Sequence, residues 1–424
     1  MVLTGIERLE RLVDEYPDRK LQTLMHLVNA TTLKEAHNRQ ENGKASGVDK
    51  QTKETYGKEL AENIDSLIER MKTFSYHPQP VRRTYIEKEG KNELRPLGIP
   101  AYEDKLVQSV MAEVLNVIYE PKFLNCSHGF REGRSCHSAI AQLNEYLMGY
   151  TNWVVDADIK GYFDNVNHEW LIKFLEHEIA DKNFMRYIKR FLKSGVMEDG
   201  IHINTEKGVP QGGCISPVLA NVYLHYALDL WFEKHVKKIS LGRAEMVRYA
   251  DDVIFCFEVE EDAKRFYEEL KLRLAKFHLE LSEEKSKILP FGRKSKMKPG
   301  KFDFLGFTHI IGKSRNGYNI PKLRTSEKKL KVKRSKIKRF LLEHMHTPSA
   351  LLIKALNIRL TGHYNYYGVS HNSDELKGFY EYCKYILFKV LNHRGQKRSL
   401  TWDEYHKLLD KYPLKTPKIV FSLW

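Results

Sequence analysis

The chain has 424 residues, 42% hydrophobic and 29% charged, a balance that excludes global disorder and suits two or three domains with cores of their own. Lys and Arg number 70 against 55 Asp and Glu, a formal net charge of +15, and such an excess favours a polyanionic partner because neutralised phosphates release counterions. Five scattered cysteines without a Cys-x-x-Cys pair, no apolar run near the ~20 residues of a membrane span, and no uninterrupted apolar h-region before Glu7 and Arg8 point away from a structural zinc, a membrane partner and a secretory signal, and toward a reduced, cytoplasmic, nucleic-acid-associated protein.

Residues up to about Tyr76 read as polar helices broken by a loop, Asn42 to Asp49, whose glycines and short polar residues stand where helices end. Val81 to Ile86 and Leu94 to Ile99 read as strands around a turn at Glu89-Gly90-Lys91-Asn92. Most of the cations of this hairpin, Arg82, Arg83, Lys88, Lys91 and Arg95, are expected to be solvated. Between Tyr102 and Tyr119 apolar residues from Leu106 to Ile118 recur at helical spacing, Glu103 and Asp104 suit the first turn, and Pro121 marks the end, so a core helix is predicted. Trp153 to Ile159 reads as a buried strand in which Asp156 and Asp158 alternate with Val155, Ala157 and Ile159 and share a face. A buried carboxylate without a partner is costly, so a metal or another cation is expected beside them. Asn167-His168-Glu169 opens another helix.

Gly208 to Pro217 is a loop feeding a helix, with Ser216 the expected N-cap and Pro217 the first helical residue. Gly212 and Gly213 permit close approach of another backbone or a base, although a plain turn would also use them. Met246-Val247 and Val253 to Phe257 are β-prone runs flanking Asp251 and Asp252, which predicts a hairpin with adjacent carboxylates at its tip. These repel unless a cation lies between them, and Mg²⁺ needs only a few carboxylates plus substrate phosphates. A solvated turn is the plain alternative. An amphipathic helix follows from Glu261 to Phe277, then Glu283-Glu284-Lys285-Ser286-Lys287 before a strand, and a compact apolar turn from Phe302 to Phe307. Pro321 to Phe340 carries ten Lys or Arg against the single acid Glu327, with Leu330, Val332, Ile337 and Phe340 at helical spacing. So lopsided a helix favours a phosphate-tracking surface over a solvated face. A Tyr-rich helical stretch from Tyr364 to Tyr385 comes next, and then the tail.

A strand with Asp158, a glycine-bearing loop with Gln211 and a hairpin with Asp251 and Asp252 succeed one another as in a polymerase palm. There, acids from neighbouring strands meet two Mg²⁺ ions about 3.5–4 Å apart, which activate the attacking hydroxyl and hold the leaving oxygens. Seven stretches in family order resemble the group II intron-encoded reverse transcriptases, or intron maturases. They are Gly47-Val48-Asp49, Leu94-Arg-Pro-Leu-Gly-Ile-Pro100, Ser127-His-Gly-Phe-Arg-Glu-Gly-Arg134, Asp156-Ala-Asp-Ile-Lys-Gly-Tyr-Phe-Asp-Asn-Val-Asn-His168, Pro210-Gln-Gly-Gly-Cys-Ile-Ser-Pro217, Tyr249-Ala-Asp-Asp252 and Phe304-Leu-Gly-Phe307. The resemblance covers nearly the whole chain.

What the resemblance implies is an α+β right-hand polymerase: fingers and palm, with an antiparallel sheet bearing the acidic hairpin, and a helical C-terminal thumb or X domain. The implied boundaries are 1–80 for an N-terminal extension and the start of the fingers, 81–311 for fingers and palm, and 312–424 for the thumb. Two Mg²⁺ ions, with Mn²⁺ an alternative, would sit on Asp158, Asp251 and Asp252 and on the carbonyl of Ile159, with Asp156 the runner-up. Lys88 and Arg95 would hold the triphosphate, Phe163 would gate against a 2′-hydroxyl, Gln211 would lie near the templating pair, and Lys285 would meet the departing pyrophosphate. Tyr249, Gly212, Gly213, Phe304, Leu305 and Gly306 would contact primer and template. Lys328, Lys329, Lys331, Lys333, Arg334, Lys336, Lys338 and Arg339 would grip RNA.

The implied activity is RNA-directed DNA synthesis from an RNA template, a DNA primer and dNTPs, joined to binding of group II intron RNA for splicing and retromobility, with a DNA target met through the RNA complex. The alternatives are an intron-independent reverse transcriptase of repair or phage defence, and an RNA-binding splicing cofactor that does not need its polymerase site. Two departures stand out. The chain reaches Trp424 without the Cys/His cluster of an endonuclease, so target-strand nicking is not expected, and Thr361-Gly-His-Tyr-Asn-Tyr-Tyr-Gly368 replaces a Trp-containing version of the thumb motif.

Overall fold

A computed structural model of the chain describes residues 5–87, 94–292, 297–394 and 400–423. Helices α1 (Gly5–Glu15), α2 (Ala30–Arg39), α3 (Lys53–Tyr56) and α4 (Leu60–Lys72) precede strands β1 (Val81–Glu87) and β2 (Leu94–Ile99). Then come α5 (Tyr102–Tyr119), α6 (Cys136–Met148), β3 (Trp153–Asp158), α7 (Tyr162–Asn165), α8 (His168–Glu178), α9 (Lys182–Leu192), β4 (Val196–Glu198) and β5 (Ile201–Ile203). Helix α10 (Ser216–Leu224) continues through π-helical turns to α11 (Lys237–Ile239), followed by β6 (Ala244–Tyr249), β7 (Asp252–Phe257) and α12 (Glu260–Lys276). Strands β8 (Lys287–Pro290), β9 (Phe302–Phe304), β10 (Phe307–Lys313) and β11 (Asn319–Thr325) lead to α13 (Glu327–Glu343), α14 (Ser349–Tyr367), α15 (Ser373–Asn392) and α16 (Trp402–Lys411). The described residues fall into two compact units, 5–87 with 94–139 and 155–288, and 140–154 with 289–292, 297–394 and 400–423.

The first unit is built on α5, whose ends coincide with the predicted ones. Leu106, Val107, Val110, Met111, Val114 and Leu115 on it are fully buried, each stabilising the fold by about 1.5–3 kcal/mol. One sheet has the order β2-β1-β4-β5; β1 and β2 form the expected antiparallel hairpin, and Val81 and Arg82 pair in parallel with Val196 and Met197. The predicted turn at Glu89 to Asn92 lies outside the described residues. The other sheet has the order β6-β7-β3-β8. Strand β7 is buried from Val253 to Phe257, which is why it reads as a continuous apolar run, and Phe255 packs 4.5 Å from Phe266 of α12.

In the second unit, β11-β10-β9 form a sheet, and α13 to α16 enclose a core that includes Leu330, Ile337, Leu356, Leu360, Phe379 and Leu387. The expectation of one basic helix from Pro321 to Phe340 needs correction. Pro321, Leu323 and Thr325 are buried in alternation with their neighbours, a period of two that belongs to β11, and the helix begins at Glu327. The compact apolar turn expected from Phe302 to Phe307 is present: Phe304 of β9 pairs with Phe307 of β10 around Leu305 at φ 49° and Gly306 at φ 79°. Among the described residues no helix is long and apolar enough to cross a membrane.

Candidate active site

Strands β7 and β3 are neighbours, so the three acids stand on adjacent strands: Asp158 ends β3, Asp252 begins β7, and Asp251 lies in the turn. Tyr249 pairs with Asp252 across the hairpin, leaving Ala250 and Asp251 as a two-residue connection. The Asp251 carboxyl is held above the usual carboxylate range, by burial first and also by the negative charge of Asp158; its own backbone N–H, Arg95 and Arg248 offset part of this. Two acids remote in sequence therefore feel each other.

Asp158 is about half exposed and accepts an ion-paired hydrogen bond from Lys285 Nζ at 2.8 Å. Its backbone N–H donates to Ser286 Oγ at 3.1 Å, and its carbonyl accepts from the Ser282 N–H at 2.8 Å. The strand end is thus tied to the segment before β8. The expectation that both acids of β3 are buried holds better for Asp156, whose side chain is 18% exposed and lies 3.9 Å from Lys287 Nζ. The cations expected beside these acids include two lysines. Among the described residues no three His, Cys, Asp or Glu side chains converge as a ready-made metal cage. Mg²⁺ does not need one, since it binds through one or two carboxylates, waters and substrate phosphates. The half-exposed Asp158 and Asp251, whose carboxyl is held up partly by the charge of Asp158, are a hard-oxygen pair whose repulsion a divalent cation would relieve, so these residues fit the ion.

The turn is fixed from beneath by Arg248, fully buried and not anticipated from the sequence. Its guanidinium donates to Asp229 Oδ1 at 2.8 Å and Oδ2 at 2.5 Å, to Asn221 Oδ1 at 3.0 Å and to the Ala250 carbonyl at 2.9 Å. Ala250 has φ 58°, a left-handed conformation that costs a non-glycine residue about 1–2 kcal/mol. On the other side, Gly129 lies so close that a Cβ there would sit 2.3 Å from the Ala250 nitrogen, and its carbonyl accepts from Asn221 Nδ2 at 2.7 Å. Two signals were available: an Arg inside a buried β-prone run, and Asp229 inside an apolar helical face.

Residues 86–309 match the family model described as "Reverse transcriptase (RNA-dependent DNA polymerase)". "Group II intron-encoded protein LtrA" of Lactococcus lactis subsp. cremoris is 32% identical over 418 residues, covering 79% of this chain and 68% of that protein. The chain belongs to the group II intron-encoded reverse transcriptases. Other relatives are "Protein YkfC" of Escherichia coli (strain K12), 35% identical over 239 residues (49% of this chain, 62% of that protein), and "Nuclear intron maturase 2, mitochondrial" of Arabidopsis thaliana, 27% identical over 176 residues (32% and 24%). As a reverse transcriptase the chain is an RNA-directed DNA polymerase of right-hand fold, and enzymes with this domain generally use divalent metal ions.

Of the nucleotide-binding residues expected in this reverse transcriptase, Lys88 lies outside the described residues. Arg95, exposed on β2, is near enough to lower the Asp251 carboxyl. Phe163 packs edge-on against Phe130 and Tyr162 at 6.4 and 5.4 Å. Gln211 lines a cavity of about 780 Å³ with Arg83, Asp164 and Lys207, and its carbonyl accepts from the Gly98 N–H at 2.6 Å. The room left by the two glycines is taken by protein. A Cβ on Gly212, at φ 115°, would lie 2.5 Å from the Gly98 oxygen, and one on Gly213 would lie 2.7 Å from Gln108 Oε1. Ser216 is not the N-cap: it is already helical, and its hydroxyl donates to the Pro210 carbonyl at 2.7 Å, folding the loop onto the helix start.

Ile159 is buried and bridged to Leu281. The Tyr249 phenol is pushed up to about 12 by a hydrogen bond with Cys136 and by burial. In the second unit the Leu305 carbonyl accepts from Tyr366 Oη at 2.8 Å and the Gly306 carbonyl from the Ser326 N–H at 2.9 Å, so the Phe304 to Gly306 turn is fastened to the start of α13 and the end of α14. On α13, Lys328, Lys329, Lys331, Lys336, Lys338 and Arg339 are exposed, whereas Lys333 and Arg334 are half-buried. Arg334 stacks 5.3 Å above Tyr382.

Proposed function

We propose that this reverse transcriptase joins deoxynucleotides to a primer at Asp158, Asp251 and Asp252, and that it also binds group II intron RNA and assists its splicing. The observation that carries the catalytic reading is that β3, ending at Asp158, lies beside β7, beginning at Asp252, with Asp251 in the turn between β6 and β7; the raised Asp251 carboxyl is in keeping with it. Two Mg²⁺ ions would be held by the three carboxylates and the Ile159 carbonyl; when bound they lower the pKa of the primer hydroxyl and hold the leaving oxygens in line. Arg95 and Lys88 bind the triphosphate, the first through its planar fork and the second as a point charge. Lys285 exchanges Asp158 for the departing pyrophosphate and protonates it. Gln211 borders the templating base, and Phe163 lies under the incoming sugar. The functional boundaries proposed are those at 80/81 and 311/312.

Metal removal tests the centre directly. Primer extension on an RNA template should stop on addition of EDTA and return with excess Mg²⁺; extension that persists in EDTA would remove the metal from the reading. The gate has its own signature. Phe163→Val should raise the use of ribonucleotides relative to deoxynucleotides by roughly tenfold or more, measured by competing the two on one template, and an unchanged ratio would place another residue at the gate.

Splicing assistance is supported by the basic face of α13. If its six exposed cations each neutralise one phosphate, log affinity for intron RNA should fall with log salt at a slope of about −4 to −5 from these alone. A filter-binding titration that stayed flat would take α13 out of the RNA interface.

A further inference from the structure

A cavity of about 960 Å³ in the first unit has no part in the reading above. It runs beside α9 and shares Glu176, Lys189 and Lys193 with a smaller one of about 350 Å³ on α8 and α9, making one trench. Its floor is apolar (Pro78, Pro80, Ile179, Met185), and its walls carry Lys173, Lys182, Arg186, Lys189, Arg190 and Lys193 against the acids Glu169 and Glu176. Two of these cations are committed to the fold: Arg190 donates to the Phe74 and Tyr76 carbonyls at 2.9 and 2.5 Å, and Arg186 stacks 3.9 Å from Phe74. Lys182, Lys189 and Lys193 are exposed. Only Lys189 has a described ion-pair partner among the three, Glu176 at 3.1 Å, and that pair is half exposed, so it holds its geometry weakly. Lys182 stands in the first turn of α9, directly after the N-cap Asp181, where the helix dipole disfavours a cation. Helix stability does not account for a lysine there.

The trench also approaches the cavity that contains Gln211. Pro80 and Ser194 line the trench, and their chain neighbours Val81 and Gly195 line the other; the Val81 N–H donates to the Gly195 carbonyl at 3.1 Å, so the two pairs are themselves joined. An apolar floor under a cationic rim matches single-stranded nucleic acid, which presents base faces and phosphates together.

We infer that this trench is a track for unpaired RNA template, which passes along α9 and past Pro80 and Ser194 toward Gln211. The inference rests on the polymerase reading for the place of Gln211. From Lys182 to Lys193, the residue after α9, the segment spans about 17 Å at 1.5 Å per residue, so the three lysines can each meet a different phosphate of one strand.

The test compares the full chain with the triple variant Lys182→Ala/Lys189→Ala/Lys193→Ala on primed RNA templates whose 5′ overhang is short (about 2 nucleotides) or long (about 15), the first too short and the second long enough to fill a single-strand groove. Surface lysine truncations of this kind barely affect folding. The wild type should bind the long overhang at least about tenfold more tightly, with a salt slope steeper by about 2. The variant should lose that difference while binding and extending the short-overhang template like the parent. A variant that keeps the long-overhang preference overturns the proposal, as does one whose affinity falls equally for both templates. An acidic protein segment as the true occupant would leave both RNA titrations unchanged by the substitutions, which also overturns it. Extension of the short overhang reads the catalytic centre, and the overhang dependence of binding reads the trench, so the two failures look different.

Discussion

Asp251→Asn is expected to lower DNA synthesis on a primed RNA template by roughly 10²–10³-fold or more, and to make the metal-free protein more stable. The two effects share a cause. In the folded chain the Asp251 carboxyl is raised by burial and by the charge of Asp158, so at neutral pH its ionised form is worse placed there than in the unfolded chain. A folded-state pKa above the unfolded one contributes stability that is complete below the unfolded value, near 4, and is lost as the pH rises through the folded value. The metal-free parent should therefore lose stability with rising pH across that window, and Asp251→Asn should flatten this part of the curve and raise Tm at pH 7. Mg²⁺ should stabilise the parent through binding to the folded state alone, and the variant much less. Primer extension and calorimetry at several pH values read both halves, and intron RNA binding should be unaffected. Undiminished synthesis would remove Asp251 from the chemistry, and a lower Tm at neutral pH would make its carboxylate a structural group. A residue whose charge weakens its own fold is kept for function, the trade expected of an active site.

Legibility in the sequence followed the range of the forces involved. Helix α5 could be bounded because its periodicity, acidic first turn and closing proline are all local, and the acidic hairpin because β-prone runs flank a short break. Even so, local rules misjudged Ser216. Its hydroxyl had a better partner in the Pro210 carbonyl than in the N-terminal amides of its helix, and that partner exists only once the loop has folded back. The basic stretch before α13 was misread for a similar reason. Lys322 and Arg324 continue the charge pattern of the helix, but pairing of β11 with β10 over seven residues outweighs helix propensity there. That β3 lies beside β7 is a matter of sheet order, which no spacing encodes, and so the influence of Asp158 on Asp251 could be expected only through the family resemblance. Least legible was the support under the turn. Gly129, Asn221, Asp229 and Arg248 come from three separate elements, and each looks ordinary in its own neighbourhood.

That support yields the second large effect. Arg248→Met should destabilise the protein by about 3–5 kcal/mol, because it leaves Asp229 as an uncompensated buried charge. Lost activity in this variant would not distinguish a fold defect from a displaced turn. The double variant Arg248→Met/Asp229→Leu does distinguish them, since replacing a buried ion pair with apolar residues of similar volume is often neutral or stabilising. Its Tm should return close to the parental value. The Ala250 carbonyl and Asn221 Oδ1 would still lack the donor they have now, and nothing would repay the left-handed backbone of Ala250, so the turn should relax and carry Asp251 with it. Arg248 is thus a positioning residue: in the double variant kcat for DNA synthesis should stay at least about tenfold below the parent, as expected when a reacting group is slightly misplaced, while the KM for dNTP changes little. Recovery of kcat together with Tm would limit the buried pair to folding. Recovery of Tm alone would show that the hydrogen bonds from Arg248 to the Ala250 carbonyl and Asn221 hold Asp251 where it would bind its metal ion.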